Sequence, residues 1–291
     1  MLLSVGYIVI YPLIYALSMS FRSYNDFLDP NTIWLPSKFI TDNYKNAIEL
    51  LDFGKSFFNT VRLEIVSALL EVLSCSVVAY GMARYNFFIK KIVAIGIALT
   101  LIIPYQMIIM PLVINFSNLD FLGIISLINN ITGSNVQINL LDTGWTFYLP
   151  SILGVGLRSG MIIFIYIQFF KGLPKELEEA AWIDGANPFM TFLKIVIPSS
   201  GVAILTVLVF SLIWHWNDYY LAVMYTSNNL PLAVSLSNLS ASIRSTISLN
   251  KNVAIAIIMA GCVLFILPML VVYMILQRNF VKSIDRVGIT G

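Results

Sequence analysis

Charged residues are scarce in this sequence: 11% of its 291 residues are Asp, Glu, Lys or Arg, against about 25% in soluble domains. The hydrophobic fraction is 58% and the mean hydropathy is +0.86, more apolar surface than a globular core can bury. The composition therefore indicates an integral membrane protein whose surroundings are a lipid bilayer. A net charge of +2 is too small to suggest a nucleic-acid partner.

The residues that catalytic and metal sites require are also sparse. His215 is the single histidine, and the two cysteines, Cys75 and Cys262, lie inside apolar runs, so the sequence contains no metal-ligand spacing. No Gly-x4-Gly-Lys-Ser/Thr stretch is present to hold the phosphates of ATP. Gly156 and Gly160 are spaced one residue too far apart for a dinucleotide fingerprint, and a contact between helices explains them better. We predict that the chain is not an enzyme and binds no cofactor or metal.

Six apolar runs are long enough to cross a membrane, which takes about 20 residues in a helix. We predict an all-α integral membrane protein with a single transmembrane domain over residues 1–291 and six transmembrane helices. The predicted spans are approximately 1–21, 61–83, 92–119, 145–170, 195–225 and 253–277. They leave two external loops, 22–59 and 120–144, and a polar loop, 171–198, between spans four and five.

Lysine and arginine predict the orientation, because they accumulate in cytoplasmic loops. With both termini in the cytoplasm, nine basic residues lie inside and six lie outside. The outside segments are longer, so the density of basic residues favours this orientation further. Loop 120–144 contains no Lys or Arg, as an external loop should. Loop 22–59 mixes basic and acidic residues and is typical of a small folded external element.

Residues 171–198, called the coupling loop below, are the most informative stretch. Glutamates crowd 176–179, where the amino-terminal end of a helix favours negative charge. Gly185 can close that helix in a left-handed conformation. Asn187 and Pro188 suit the cap and first position of a second helix. The pattern predicts helix–turn–helix, and it leaves open whether this is an amphipathic connector or a surface for a partner.

Three ionisable residues fall inside predicted spans. Glu64 and Glu71 are seven residues apart and share one face of span two, and Arg158 lies near the middle of span four. Buried charges in a bilayer are costly and usually pair or face a wet path. Arg158 either pairs with one of the glutamates or helps to line the substrate path with them.

The end of span five is rich in aromatic and polar side chains, including His215, Trp216, Asn217 and Asp218. Trp and Tyr concentrate at membrane interfaces, so an aromatic belt explains the cluster in structural terms. A sugar platform explains it in functional terms, because aromatic faces stack on sugars while amides and carboxylates bind hydroxyls. The two roles can coexist.

The coupling loop carries a motif with a known counterpart. Glu179-Ala180-Ala181, three residues, Gly185, nine residues, Ile195, one residue, then Ile197-Pro198 resembles the signature of the membrane subunits of binding-protein-dependent ABC importers. In that signature Leu occupies the place of Ile197. Three further stretches resemble the carbohydrate, maltose-type branch of the family: Phe58-Asn59-Thr60, Trp216-Asn217-Asp218-Tyr219, and the tail from Gln277 to Gly291.

The resemblance implies that the coupling loop contains a coupling helix that docks on a cytoplasmic ATPase. The residues that would contact the ATPase are Glu179, Ala180, Ala181, Asp184 and Gly185, and those that would anchor the loop to span five are Ile195 and Pro198. The residues that would line a substrate path are Glu64, Glu71, Arg158, His215, Trp216, Asn217 and Asp218. ATP and magnesium would be used by the partner, not by this chain.

The resemblance also implies partners and a location. They are an ABC ATPase dimer, a second, non-identical permease subunit and an extracytoplasmic solute-binding protein, in the cytoplasmic membrane of a bacterium or archaeon. The implied function is translocation of an oligosaccharide or other carbohydrate. The alternatives are a permease for another polar solute such as a sugar phosphate, an ion-coupled secondary transporter, and a membrane enzyme or scaffold.

Overall fold

The computed structural model describes residues 2–30, 32, 34–120, 123–246 and 251–288. Ile289, Thr290 and Gly291 of the tail motif lie outside these ranges. All regular elements in the described ranges are helical, in agreement with the predicted all-α fold. The α-helices are α1 (Leu2–Ser20), α2 (Asp42–Leu50), α3 (Phe53–Thr60), α4 (Val66–Arg84), α5 (Lys90–Ile102), α6 (Ile109–Ser117), α7 (Ile124–Thr132), α8 (Trp145–Ile152), α9 (Ser159–Gly172), α10 (Glu176–Ile183), α11 (Pro188–Thr191), α12 (Ile197–Ser199), α13 (Gly201–Trp216), α14 (Tyr220–Tyr225), α15 (Leu232–Thr246) and α16 (Lys251–Gly288).

The chain forms two compact units. Unit 1 comprises Met1–Val61 and Asn229–Val272, and unit 2 comprises Arg62–Asn228 and Tyr273–Gly291. Each unit has its own cluster of buried apolar side chains. The prediction of one transmembrane domain over 1–291 stays a prediction.

The core of unit 1 is formed by α2, α15 and α16. Ala47 on α2, Leu239 on α15 and Ile257 on α16 are buried there. A Cβ on Gly261 would lie 2.7 Å from Leu239 Cδ2, so this glycine lets α15 and α16 approach closely. Near the end of α1, the Asn43 side chain donates to the carbonyl oxygens of Ser20 (2.9 Å) and Arg22 (3.0 Å), which orders the chain that follows α1.

The core of unit 2 is built around α4, which packs on α8, α9 and α13. Small side chains of α4, such as Cys75 and Ala79, face the larger Ile162 and Tyr166 of α9. A Cβ on Gly160 would lie 2.0 Å from Thr100 Oγ1, so α9 also approaches α5 closely. The predicted role of Gly160 as a contact between helices is confirmed, but Gly156 lies in a break between α8 and α9 rather than on a helix.

The helices differ from the six predicted spans in continuity. Phe53–Arg84 and Asn252–Gln277 are long and apolar enough to cross a membrane, and Pro188–Ser199 with Gly201–Trp216 would form a third span bent by 81°. α1 and α9 are apolar but shorter. The predicted spans 92–119, 145–170 and 195–225 each contain more than one helix, and six membrane crossings stay a prediction.

Special backbone conformations mark the breaks in spans three and four. Span three stops at Ile102 because Ile103, which precedes Pro104, adopts an extended conformation (φ −75°, ψ 119°). Span four is interrupted between α8 and α9, where Gly154 (φ +70°) and Arg158 (φ +59°) are left-handed. Span five ends its main helix at Trp216 and resumes at Tyr220 as α14.

Candidate functional site

The coupling loop folds as the predicted helix–turn–helix. α10 ends with two hydrogen bonds that form a Schellman motif: Ala186 N–H donates to Ala181 O (2.9 Å), and Gly185 N–H donates to Trp182 O (3.0 Å). Gly185 has φ +83°, a conformation that favours glycine. The turn geometry therefore depends on this glycine, as the sequence predicted.

The second helix of the coupling loop begins as predicted at Asn187. The Asn187 side-chain oxygen accepts a hydrogen bond from Met190 N–H at 2.8 Å, and Pro188 is the first residue of α11. A π-helical turn, Phe192–Val196, then leads into α12. Ile195 is half-buried in this turn and Pro198 is exposed on α12, so their predicted role as anchors to span five stays a prediction.

Glu178 fastens the coupling loop to α4. Its carboxylate lies 2.6 Å from Arg84 Nε and accepts a hydrogen bond from the Tyr80 hydroxyl at 2.8 Å. Arg84 also donates to Leu173 O at 2.8 Å. The sequence did not single out this residue, because nothing in it distinguishes Glu178 from Glu176 and Glu179. Only the tertiary structure shows that Glu178 is buried and that the other two are exposed.

The opposite side of the coupling loop is open. Of the residues predicted to contact an ATPase, Ala181 is buried against the protein, whereas the other four are exposed: Glu179, Ala180, Asp184 and Gly185. Large apolar side chains are exposed around them: Leu177, Trp182, Ile183, Phe189, Met190 and Leu193. An apolar patch of this kind, rimmed by polar residues, is typical of a protein interaction site.

A buried charge cluster joins α13 to the helix that continues into α4. His215 Nδ1 lies 3.2 Å from Glu64 Oε2, and His215 Nε2 lies 2.9 Å from Glu71 Oε2. All three side chains are less than 5% exposed. An imidazolium ring donates from both nitrogens, so the arrangement fits the charged form of His215. The two glutamates face the same partner, as their spacing of seven predicts.

The contacts of Arg158 bear on its two predicted alternatives, a pair with one of the glutamates and a place in the substrate path. Among the residues that the structure describes, it forms no salt bridge with Glu64 or Glu71, so the predicted pair is wrong. The break after α8 places Arg158 at the start of α9 in a left-handed conformation, and its guanidinium carbon lies 5.1 Å from the centre of the Trp214 ring. His215 is the partner of both carboxylates instead.

The three helix breaks in unit 2 meet at one cavity of about 60 Å³. Tyr105 comes from the break in span three, Gly156 and Arg158 from the break in span four, and Asp218 from the break in span five. Non-helical backbone at membrane depth is tolerated where it is buried in protein or lines a cavity. Residues from all three breaks line this cavity, which is called the unit 2 cavity below.

Only some residues of the aromatic and polar cluster at the end of span five line this cavity. His215 and Asp218 line it, Trp216 is buried outside the lining, and Asn217 is exposed. Tyr219 and Tyr220 are also exposed. Of the residues predicted to line a substrate path, Arg158, His215 and Asp218 line the cavity, whereas Glu64 and Glu71 contact His215. Their role in a substrate path stays a prediction.

Comparison with known proteins identifies the family of this chain. Residues 75–286 match the family described as binding-protein-dependent transport system inner membrane component. The chain is 26% identical to the polygalacturonan/rhamnogalacturonan transport system permease protein YtcP of Bacillus subtilis, with 97% of this chain and 93% of that protein covered. It is also 26% identical to the trehalose transport system permease protein SugB of Mycobacterium tuberculosis, with 99% and 95% covered.

The fold has a solved counterpart. A bacterial ABC transporter involved in the import of the acidic polysaccharide alginate contains a chain with TM-score 0.70 and 21% identity, with 96% of this chain and 94% of that chain covered. At this identity the likeness establishes the fold alone. Because the family match covers well over half of its length, this chain belongs to the binding-protein-dependent transport system inner membrane components.

Proposed function

We propose that this chain is a translocation subunit of an ATP-driven ABC importer for an oligosaccharide or related carbohydrate. The two relatives described above are named for carbohydrates, polygalacturonan/rhamnogalacturonan and trehalose, and the sequence has no phosphate-binding loop of its own. ATP and magnesium would be used by a separate cytoplasmic ATPase dimer. A second, non-identical permease and an extracytoplasmic solute-binding protein would complete the complex.

The coupling loop carries this proposal. One side of α10 is held to α4 through Glu178, Arg84 and Tyr80, while the other side exposes Ala180 and the apolar side chains around it. A helix that is held to the protein on one side and exposes apolar side chains on the other suits a rigid docking element. We infer that Glu179, Ala180, Asp184 and Gly185 contact the ATPase, and that Ala181 supports them from within.

The membrane arrangement follows from the same proposal. Six crossings with both termini in the cytoplasm place the coupling loop on the side where ATP is available, and the distribution of Lys and Arg supports this orientation. Three of the crossings would be made by broken helices, and their breaks line the unit 2 cavity. An ion-coupled secondary transporter would leave the exposed patch of the coupling loop without a role.

Co-purification tests the proposal. The tagged chain is expressed together with the products of its neighbouring genes, and the ATPase that it retains is measured. Ala180→Trp adds bulk to the exposed face of α10 without changing a buried contact, and we expect it to abolish retention. Asn130→Trp, on exposed α7 in the predicted external loop, is the matched control and should retain the ATPase.

Function is measured on the same preparations. In proteoliposomes the complex should hydrolyse ATP faster with its solute-binding protein and a sugar, and Ala180→Trp should remove that stimulation. Full retention and stimulation in Ala180→Trp would contradict docking at the coupling loop. A chain that transports solute alone, driven by an ion gradient, would favour the secondary transporter.

A further inference from the structure

We propose that residues 123–140, called the α7 segment below, lie on the surface of the lipid bilayer with the apolar face of α7 in contact with acyl chains. The sequence predicts only that residues 120–144 form an external loop. The inference goes beyond the proposed function, which assigns no partner to this segment.

The helix α7 has one apolar face and one polar face. Four aliphatic side chains recur at helical spacing on one face, whereas Ser126 and Asn130 lie on the other. The four aliphatic side chains are all exposed: Ile124, Leu127, Ile128 and Ile131. Ile131 is 75% exposed and Leu127 is 59% exposed, so no part of the described chain covers this face. In a soluble protein such a face packs on the core.

The α7 segment folds around a polar side chain instead. Asn129 pairs with both backbone groups of Val136: its Nδ2 donates to Val136 O at 3.0 Å, and its Oδ1 accepts from Val136 N–H at 2.9 Å. The Ser134 hydroxyl donates to the same Oδ1 at 3.1 Å. The aliphatic side chains of Val136 and Ile138 are exposed. The segment therefore turns an amide inward and aliphatic side chains outward, the opposite of what water favours.

Hydrogen bonds within the chain also satisfy polar groups at both ends of α7. Asp120 Oδ1 accepts from Ile125 N–H at 2.9 Å and from Ser126 N–H at 3.4 Å. At the other end, the Thr132 hydroxyl donates to Ile128 O at 2.7 Å. Backbone polar groups that face lipid must find their partners within the protein, because lipid tails offer none. This pairing suits a helix that lies against a bilayer.

The composition of the segment favours lipid over a protein as its partner. Residues 121–141 contain no Asp, Glu, Lys or Arg, and residues 123–140 contain no Phe, Trp or Tyr. Trp, Tyr and Arg contribute most of the binding energy at protein interfaces, so a protein partner would find none of these anchors here. Acyl chains require only an aliphatic surface without charge, because charges in contact with hydrocarbon are costly.

The attachment of the segment to α6 places it at the membrane boundary. Leu140 N–H donates to Phe116 O at 2.8 Å, which ties the end of the segment to the last turn of α6. The helix α6 lies in predicted span three and exposes the apolar side chains of Met110 and Ile114. An interfacial helix buries its apolar face about 5–10 Å into the boundary between headgroups and acyl chains. In this position α7 extends the apolar surface of α6 along the bilayer.

Fluorescence quenching tests which face of α7 meets the lipid. Leu127→Cys and Ile131→Cys place an environment-sensitive fluorophore on the apolar face, and Asn130→Cys places it on the polar face. The full chain, with every subunit that co-purifies, is reconstituted in phosphatidylcholine nanodiscs that contain a nitroxide-labelled lipid. The parent chain, with Cys75 and Cys262, corrects for labelling elsewhere.

We expect the nitroxide lipid to quench the fluorophore on the apolar face about twofold more strongly than the fluorophore on the polar face. Iodide in the water should give the opposite order. Iodide quenching without lipid quenching at Leu127→Cys and Ile131→Cys would place the apolar face in water and overturn the proposal. Quenching by neither agent would mean that a protein partner covers the face, and equal lipid quenching at all three positions would mean that no face is preferred. Either result would also overturn it.

A charge added to either face of α7 gives a second, matched test. Ile131→Asp places a carboxylate on the apolar face, and it removes little packing because Ile131 is 75% exposed. We expect it to lower lipid quenching at Leu127→Cys by about half or more, because a charge in contact with lipid is costly. Asn130→Asp adds the same charge to the polar face and should leave quenching unchanged. Melting temperatures equal to that of the parent chain show that both variants keep their fold, and equal quenching in the two would overturn the proposal.

Failure of the proposed function has a different signature. Neither quenching measurement uses ATP, a sugar or transport, so the lipid contact of α7 is decided independently. A complex that hydrolyses no ATP in response to its binding protein and a sugar removes the importer assignment alone. Sugar transport by a complex whose α7 faces water removes only the lipid contact.

Discussion

Arg84 and Glu178 form an ion pair with Nε and Oε1 2.6 Å apart, although their side chains are only 5% and 4% exposed. The pair joins the last residue of α4 to the first turn of α10 in the coupling loop. The helix that contains α4 is also held by His215 of α13, through Glu64 and Glu71. The coupling loop and the cavity-lining helix α13 are therefore fastened to the same helix, Phe53–Arg84.

Removing one partner of this pair should be strongly destabilising. Glu178→Ala leaves Arg84 buried without a carboxylate, and we expect a loss of about 3 kcal/mol in the free energy of unfolding. Thermal unfolding of the purified protein in detergent measures this. Glu176→Ala removes an exposed carboxylate from the same helix and should change stability little. A Glu178→Ala protein as stable as the Glu176→Ala control would show that the pair contributes nothing to folding.

His215 should be as sensitive, because its removal leaves Glu64 and Glu71 buried without their shared donor. We expect His215→Leu to cost about 3–5 kcal/mol. Adding Glu64→Gln and Glu71→Gln to His215→Leu removes both stranded charges and should recover part of the loss. The melting temperatures of the single and triple variants test this, and a triple variant less stable than His215→Leu would argue against charge as the cause.

Gly160 should not tolerate a methyl group. Its Cβ would lie 2.0 Å from Thr100 Oγ1 and 3.2 Å from Ile97 O, so α9 and α5 must separate in Gly160→Ala. Overpacking of this kind costs about 1–3 kcal/mol. Gly96→Ala is the matched control on α5, since nothing lies within 4 Å of its Cβ. Equal melting temperatures for the two variants would mean that α5 and α9 separate without cost.

Asp26 should make the segment between α1 and α2 sensitive to acid. Burial acts to raise the pKa of Asp26, but hydrogen bonds donated by the side chains and N–H groups of Ser37 and Ser23 outweigh it and lower the pKa from 3.8 to about 2. A lowered pKa in the folded state stabilises that state at pH values above 3.8, and the benefit disappears as the pH falls towards 2. The contribution is at most about 2 kcal/mol.

Hydrogen exchange of the Ser23 and Ser37 amides tests this prediction, because both N–H groups donate to the Asp26 carboxylate. Their protection, corrected for the intrinsic pH dependence of exchange, should fall between pH 4 and pH 2. Asp26→Asn should lower it at pH 6 and make little difference near pH 2. Protection that is independent of pH in the native chain would contradict the proposed role of the carboxylate.

The coupling loop could be predicted in detail because its signals are local. Gly185 and Asn187 act through backbone conformation and hydrogen bonds to residues within five positions, and nothing distant competes with them. The continuity of the spans could not be predicted in the same way. Pro104 and the glycines after α8 were visible as local features, but apolar runs of this length are equally compatible with one helix or two.

The position of the buried glutamates could be predicted from the sequence, but their partners could not. The spacing of Glu64 and Glu71 places them on one helix face whatever the fold, and they do share that face. Their partner depends on which residue the tertiary fold places next to them. Arg158 follows the break in span four and contacts Trp214, whereas His215 contacts both glutamates. The burial of Glu178 could not be predicted either, because burial depends on the packing of the whole chain and not on the residues next to Glu178 in the sequence.

By itself the sequence determined the helical membrane class, the shape of the coupling loop and the family, since these depend on composition, local capping and short motifs. Only the tertiary structure decided the partners of the buried charges and the convergence of three helix breaks, at Tyr105, Arg158 and Asp218, on one cavity. The physical reason is the distance along the sequence over which the determining interactions act. Backbone conformation is set by residues a few positions apart, whereas a cavity and its charges are set by segments more than a hundred residues apart along the chain.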